Sequence, residues 1–289
     1  MGKSLTRIVQ ILFLSQLCLI EAFVFSIQAQ VKGFDAPSDR FLDRLSEPAA
    51  QALIHNMRTQ FALENCMLHF DFLHTVKGSD TVKRINGLML IAKSNASSEK
   101  RIYLSSDEQW VELIVRDGVG LSVWKRDAQS PIFQLVEKSL WFQPLIEGVL
   151  FRPIDLIMPY LQWSAFQYEG PQVIGVRSVI DDFIFIPDDQ LIYKEYGIDS
   201  IRLSIDRQYK GIRKVEYLRE ASILSTLSVL GVKKFNGLWA LSRLSLKANG
   251  AKTIFKLNKL TPVSNLDADL YFNPSNENIL SISDYLIGL

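Results

Sequence analysis

Three histidines, two cysteines and no G-x-S-x-G turn leave this 289-residue sequence short of the side chains that usually do chemistry. His55, His69 and His74 fall within one stretch, and His69 and His74 are five residues apart, which puts them on opposite faces of a strand. That spacing does not gather ligands around a metal. Ser97-Ser98-Glu99-Lys100 matches S-x-x-K, but a match so short reads as a polar turn. Asp181-Asp182 and Asp188-Asp189 are adjacent, whereas hydrolytic acid pairs are opposed across a cleft. They read as solvated loop charges. No enzyme, no metal and no cofactor is expected.

Charge of one sign is missing too. The 32 Lys and Arg against 31 Asp and Glu give a net charge of +1, too little to condense on phosphates along a nucleic acid. Nucleic acid is excluded as a partner. Disorder is not the default either, because 48% of residues are hydrophobic and 22% charged, ample for a large core.

What is present begins with an export signal at residues 1–29. Lys3 and Arg7 form a basic n-region, Ile8 to Ile20 is mostly apolar, and Ala29 offers a small residue for cleavage before Gln30. Apolar residues resume from Ala22 to Ile27, so an uncleaved anchor stays open. Glu21 weighs against it, since an acid in hydrocarbon costs about 2.5–3.5 kcal/mol. Cleavage would leave 30 charges of each sign and Cys66 as the sole thiol. No internal disulfide is then available, so stability must come from packing, with Cys66 a small buried hydrophobe.

A polar linker, 30–45, precedes one domain over 46–289. Ala50, Leu53, Ile54, Met57 and Phe61 share a helical face, with Ser46 as cap and Pro48 in the first turn. From Cys66 the period changes to two. Strands are expected at Cys66 onward, Val82 to Ala92, Arg101 to Ser105, Gln109 to Arg116 and Leu121 to Arg126, the last after the turn Asp117-Gly118. Further strands are expected at Val173 to Ile186, Ser200 to Asp206, Ile212 to Arg219, Ile223 to Phe235, Leu238 to Ala248 and Lys252 to Pro262. Short connections make this an antiparallel meander. Pro131 to Trp163 differs: it is rich in large apolar residues and chopped by Pro144, Pro153 and Pro159, so it reads as short helices and turns laid across a sheet.

Three stretches carry a family resemblance: Asn86-Gly87-Leu88-Met89-Leu90-Ile91-Ala92-Lys93, Val115 to Trp124 around Asp117-Gly118, and Phe151-Arg152-Pro153-Ile154-Asp155-Leu156-Ile157-Met158-Pro159-Tyr160-Leu161-Gln162-Trp163. With the order of elements and the hairpin from Arg202 to Leu218, the chain over 47–273 resembles the LolA/LolB-like outer-membrane lipoprotein-sorting protein family. The resemblance implies a mainly β (α+β) fold, an antiparallel curled sheet or incomplete β-barrel covered by helices. It implies a monomeric periplasmic carrier of lipoprotein acyl chains or lipid, serving an inner-membrane donor and an outer-membrane acceptor. A departure accompanies it. The family's carrier has an arginine at the end of the second strand, linking barrel and lid, where this sequence has Lys93, which keeps a cation but loses the planar fork. Lys93 is the lid-coupling candidate.

Such a carrier must shield hydrocarbon, at about 0.8 kcal/mol per CH₂ and on the order of 12 kcal/mol for a chain of about sixteen carbons. Every second residue of a curled sheet can line the shield. The alternation nominates Phe70, Phe72, Leu88, Leu90, Val111, Leu113, Leu121, Val123, Ile201, Leu203, Val215 and Tyr217, with Leu156, Met158 and Trp163 as cover. The same residues would equally fill a dry core. A periplasmic sensor or scaffold that binds a protein partner on the same fold is the rival reading.

Overall fold

The computed structural model describes residues 42–59, 65–93, 98–106, 109–116, 121–174, 178–188, 190–264, 266, 268–276 and 282. The expected signal segment, Phe61, Ser97, the Asp117-Gly118 turn and Asp189 lie outside them.

Helix α1, Glu47–Thr59, begins where the cap signals put it. The Ala49 amide donates to Ser46 Oγ at 3.4 Å, and Glu47 sets an acid against the positive helix end. Ala50, Ile54 and Met57, three or four residues apart, are buried.

The strands are β1 Cys66–Val76, β2 Val82–Lys93, β3 Ser98–Ser105, β4 Trp110–Arg116, β5 Ser122–Asp127, β6 Gln134–Leu135, β7 Phe166–Ile174, β8 Ser178–Phe185, β9 Ser200–Asp206, β10 Gly211–Arg219, β11 Ser222–Phe235, β12 Leu238–Ala248 and β13 Ala251–Pro262. All thirteen join one curled, unclosed antiparallel sheet in the order β6-β5-β4-β3-β2-β1-β13-β12-β11-β10-β9-β8-β7. Two tight turns have a direct local cause. Asn236-Gly237 and Asn249-Gly250 both take positive φ at each residue, the conformation that fits the twist of a two-residue hairpin.

Eleven strands were expected and thirteen occur among the described residues. Two-residue β6 hides in the apolar insert, and Gly170-Pro171 with a register shift at Tyr168/Gly170 disguises β7. Proline is tolerated there because β7 is a sheet edge, where a missing N–H breaks no ladder. The span Val173 to Ile186 is therefore a hairpin end plus β8, not one strand.

The topology fixes the position of the insert. Chain-first β1 and chain-last β13 pair at the middle of the sheet, leaving β6 and β7 as its two free edges. Residues 136–165 connect those edges. They include a 3₁₀ turn Lys138–Phe142, helix α2 Pro153–Ile157 and a second 3₁₀ turn Pro159–Gln162. Helices α3, Gln190–Glu195, and α4, Ala268–Phe272, are the remaining helices among the described residues and had no strong sequence signal.

Candidate functional site

One face of the curled sheet is apolar from end to end. Phe70 and Phe72 on β1, Val111 and Leu113 on β4, Val123 on β5, Ile201 and Leu203 on β9, and Val215 and Tyr217 on β10 belong to a single buried cluster. Leu156, Met158 and Trp163 of the insert join them, and Leu121 packs at the margin, half-buried. Strands from both halves thus share one interior, which requires the curl.

The insert roofs this interior. Phe151 packs on Phe72 with ring centres 4.8 Å apart, Tyr160 meets Tyr217 edge-on at 6.3 Å, and Trp163 meets Tyr193 of α3 edge-on at 4.8 Å. Phe142 stacks on Tyr196 at 4.3 Å. Each pair adds about 0.5–1.5 kcal/mol beyond its buried area. Met158 has φ of +40°, left-handed for a non-glycine residue, where the chain turns from α2 into the next 3₁₀ turn.

A polar unit sits at the foot of this cover. Asp155, fully buried, accepts from the Arg152 backbone N–H at 2.9 Å, from Arg152 Nε at 2.9 Å and from Nη2 at 2.9 Å. The guanidinium lies 4.5 Å from the centre of the Tyr217 ring, and its Nη2 donates to Ser225 Oγ on β11 at 3.4 Å. Burial works against the Arg152 charge, but Asp155 outweighs it and holds the guanidinium above its ordinary range. Burial, followed by the Asp155 charge, pushes the Tyr217 hydroxyl well above its own. The cover therefore carries its own counter-ion. Among the described residues, its charged groups meet the sheet at Tyr217 and at the Ser225 hydroxyl.

The enclosed room is small. Between Phe70, Phe72, Met89, Leu156, Leu244 and Phe255 the cavity measures about 10 Å³, about one water molecule's worth, against roughly 300–1,000 Å³ for pockets that hold small molecules. A room of that size takes no hydrocarbon tail.

Two nominated residues lie elsewhere. Leu88 and Leu90 point to the opposite face, where they pack with Met67, Ala92, Phe272 and Ile282. The inner positions of β2 are Ile85, Gly87, Met89 and Ile91. Phe70 pairs with Gly87 and its ring occupies the space a side chain there would need. The run from Leu88 to Ala92 is apolar at both parities, so alternation could not choose. Lys93 ends β2 opposite Ser98, and its side chain lies outside the described residues. The arginine that touches both cover and sheet is Arg152, reached from the cover side. Its signal was available: Arg-Pro-x-Asp puts proline at N1 and an acid at N3 of a helix start.

The acid pair Asp181-Asp182 is not a solvated loop. Both residues are fully buried on β8. Asp181 accepts from Arg207 Nε at 2.8 Å and from the Tyr168 hydroxyl at 2.6 Å, while burial raises the Asp182 carboxyl above its usual range. Lys100 of the S-x-x-K match is buried within β3, not in a turn. His74 Nδ1 lies 2.8 Å from Thr253 Oγ1, and burial lowers the pKa of both His69 and His74. Cys66 is buried at the start of β1.

The outer face holds an ionic cluster that sequence reasoning missed. Glu112 on β4 accepts from Arg101 Nε on β3 and from Arg126 Nε on β5, each at 2.7 Å, and Phe133 lies against both guanidinium groups. Arg101 Nη1 and Arg116 Nη2 donate to the carbonyls of Tyr271 and Phe272 at 2.9 and 3.0 Å, pinning α4 over Leu88 and Leu90. All three charges are on different strands, so only pairing register could reveal them.

No family model matches the chain, and no curated protein matches its sequence. Solved structures match its shape. An outer membrane lipoprotein-sorting protein domain from Vibrio parahaemolyticus is 12% identical with a TM-score of 0.59, covering 71% of this chain and 88% of that one. A LolA superfamily protein from Nitrosomonas europaea is 13% identical at 0.57, covering 78% and 98%. A DUF1329 family protein from Desulfovibrio piger is 10% identical at 0.57, covering 71% and 88%. The fold is LolA-like: an incomplete antiparallel barrel with helical cover.

Proposed function

We propose that this protein is a periplasmic carrier that takes the acyl chains of lipid or of lipoproteins onto its inner face for sorting to the outer membrane, without chemistry. The observation that supports this most is the roof. A segment joining the two free edges of the sheet covers a continuous apolar face, and its buried charge is neutralised within the segment by Asp155. Among the described residues, lifting it separates no ion pair. Cargo admission then means displacing Leu156, Phe151 and their neighbours from the sheet, with hydrocarbon replacing them contact for contact. The LolA-like fold supports the same reading.

Native mass spectrometry of the freshly purified protein, followed by titration with a fluorescent fatty acid, tests it. A retained acyl species or saturable binding is expected, with faster hydrogen exchange in 136–165 than in β1. A stoichiometric protein partner without lipid would favour the sensor or scaffold instead. A cover that exchanges as slowly as β1, with no fatty acid bound, overturns the carrier.

A further inference from the structure

Of the strand residues in the buried inner cluster, Tyr217 alone carries an oxygen or nitrogen on its side chain. Its hydroxyl is wholly enclosed and meets no partner in hydrogen-bonding geometry among the described residues. The neighbouring Asp155 carboxylate acts on it and raises its pKa, but that carboxylate is already taken up by the backbone N–H, Nε and Nη2 of Arg152. A buried hydroxyl without a partner destabilises the fold. Phenylalanine would fill the same place without that cost, so the oxygen is explained by an acceptor that arrives with a ligand.

A second donor stands beside it. The Arg152 guanidinium lies over the Tyr217 ring and spends Nε and Nη2 on Asp155 and Ser225, which leaves Nη1 without an acceptor among the described residues. Ser225 is the cross-strand partner of Tyr217, so the hydroxyl and the guanidinium share one spot on the inner face. That spot adjoins the place where hydrocarbon would lie, because Leu156, next to Asp155 in α2, lines the small cavity. One donor belongs to the sheet and the other to the cover. Asp155 already balances the Arg152 charge, so the pair suits a neutral acceptor, whereas a carboxylate would sit against Asp155.

We propose that Tyr217 and Arg152 bind the ester carbonyl at the head of a cargo acyl chain, the sheet donor capturing it and the cover donor closing on it. The proposal rests on the carrier reading and narrows the cargo to esterified chains. A carbonyl oxygen has two lone pairs and accepts from both donors at once.

Methyl laurate and dodecyl methyl ether, each below its solubility limit, share the length of chain and differ in the carbonyl. The protein is expected to bind the ester on the order of ten-fold tighter. In Tyr217→Phe that preference should fall to about two-fold or less, and Tm should not drop, since an unpaired buried hydroxyl is gone. Equal affinity for the two ligands, or a preference that survives Tyr217→Phe undiminished, overturns the anchor and leaves the carrier standing. A lowered Tm in the variant means that the hydroxyl already has a partner, which also overturns the anchor. Failure of both ligands to bind overturns anchor and carrier together. Ionised laurate binding tighter than methyl laurate assigns the spot to free fatty acids and overturns the ester assignment.

Discussion

The two faces of the sheet bury their charges in different ways. On the outer face, Arg101, Glu112 and Arg126 come from three neighbouring strands, so the ion pairs are part of the sheet and hold its register. On the inner face, Arg152 and Asp155 come from one five-residue helix and its cap, so the ion pair belongs to the cover. A buried pair that spans elements resists their separation, because parting them strands a charge. One contained in a single element moves with it. On the carrier reading proposed above, the outer face stays shut while the cover over the inner face lifts with its own ion pair.

Substitutions can break that contrast. The largest effect is expected from Glu112→Gln, which leaves the fully buried Arg101 without its carboxylate. A loss of about 3–5 kcal/mol in chemical denaturation is expected, with acyl binding by the folded fraction unchanged. Leu156→Ala acts on the other face, removing a cover side chain that lines the small cavity. It should cost about 2–5 kcal/mol yet strengthen fatty-acid binding, since the room vacated is where cargo would lie. Weakened binding in a folded variant would contradict the inner-face assignment.

Gly87→Ala sharpens the comparison at a single cross-strand pair. Its methyl would run into the Phe70 ring, for a cost of about 1–3 kcal/mol. Binding should weaken because Phe70 is pushed into the interior.

The smallest effects are pH-dependent and differ in sign. Burial raises the folded-state pKa of Asp182 on the outer face, so its contribution is fully present below the unfolded value of about 3.8 and is lost as pH rises through the raised folded value. Asp182→Asn should raise the denaturation midpoint at pH 7 and leave it unchanged at pH 3. His74, on the inner face beside Thr253, has its pKa lowered by burial and then by Lys83, so stability falls as pH drops below about 6.5 toward the lowered value. His74→Gln should remove that part of the acid sensitivity.

Much of this was legible in sequence wherever one residue's neighbours along the chain decide its conformation. The alternation from Leu68 to Phe72 and from Ile201 to Ile205 gave strands whose inner residues are buried together. The prolines of the insert gave short helices. Legibility failed where a strand is buried on both faces, as at Leu88 and Leu90, and where a charge is neutralised by a residue far along the chain, as at Asp181 by Arg207 in the turn after β9. A period of two identifies a face only when the other face is polar.

By itself the sequence determined the class of fold, the amphipathic first helix, the long antiparallel run and the distinct apolar insert, because periodicity, turn residues and proline act within a few positions of the chain. Only the tertiary structure decided that β1 closes on β13, that the insert therefore spans two free edges, and that Lys247 pairs with Lys252. These are pairings between residues far apart in the chain or set by register, and their energies exist only once the strands are side by side.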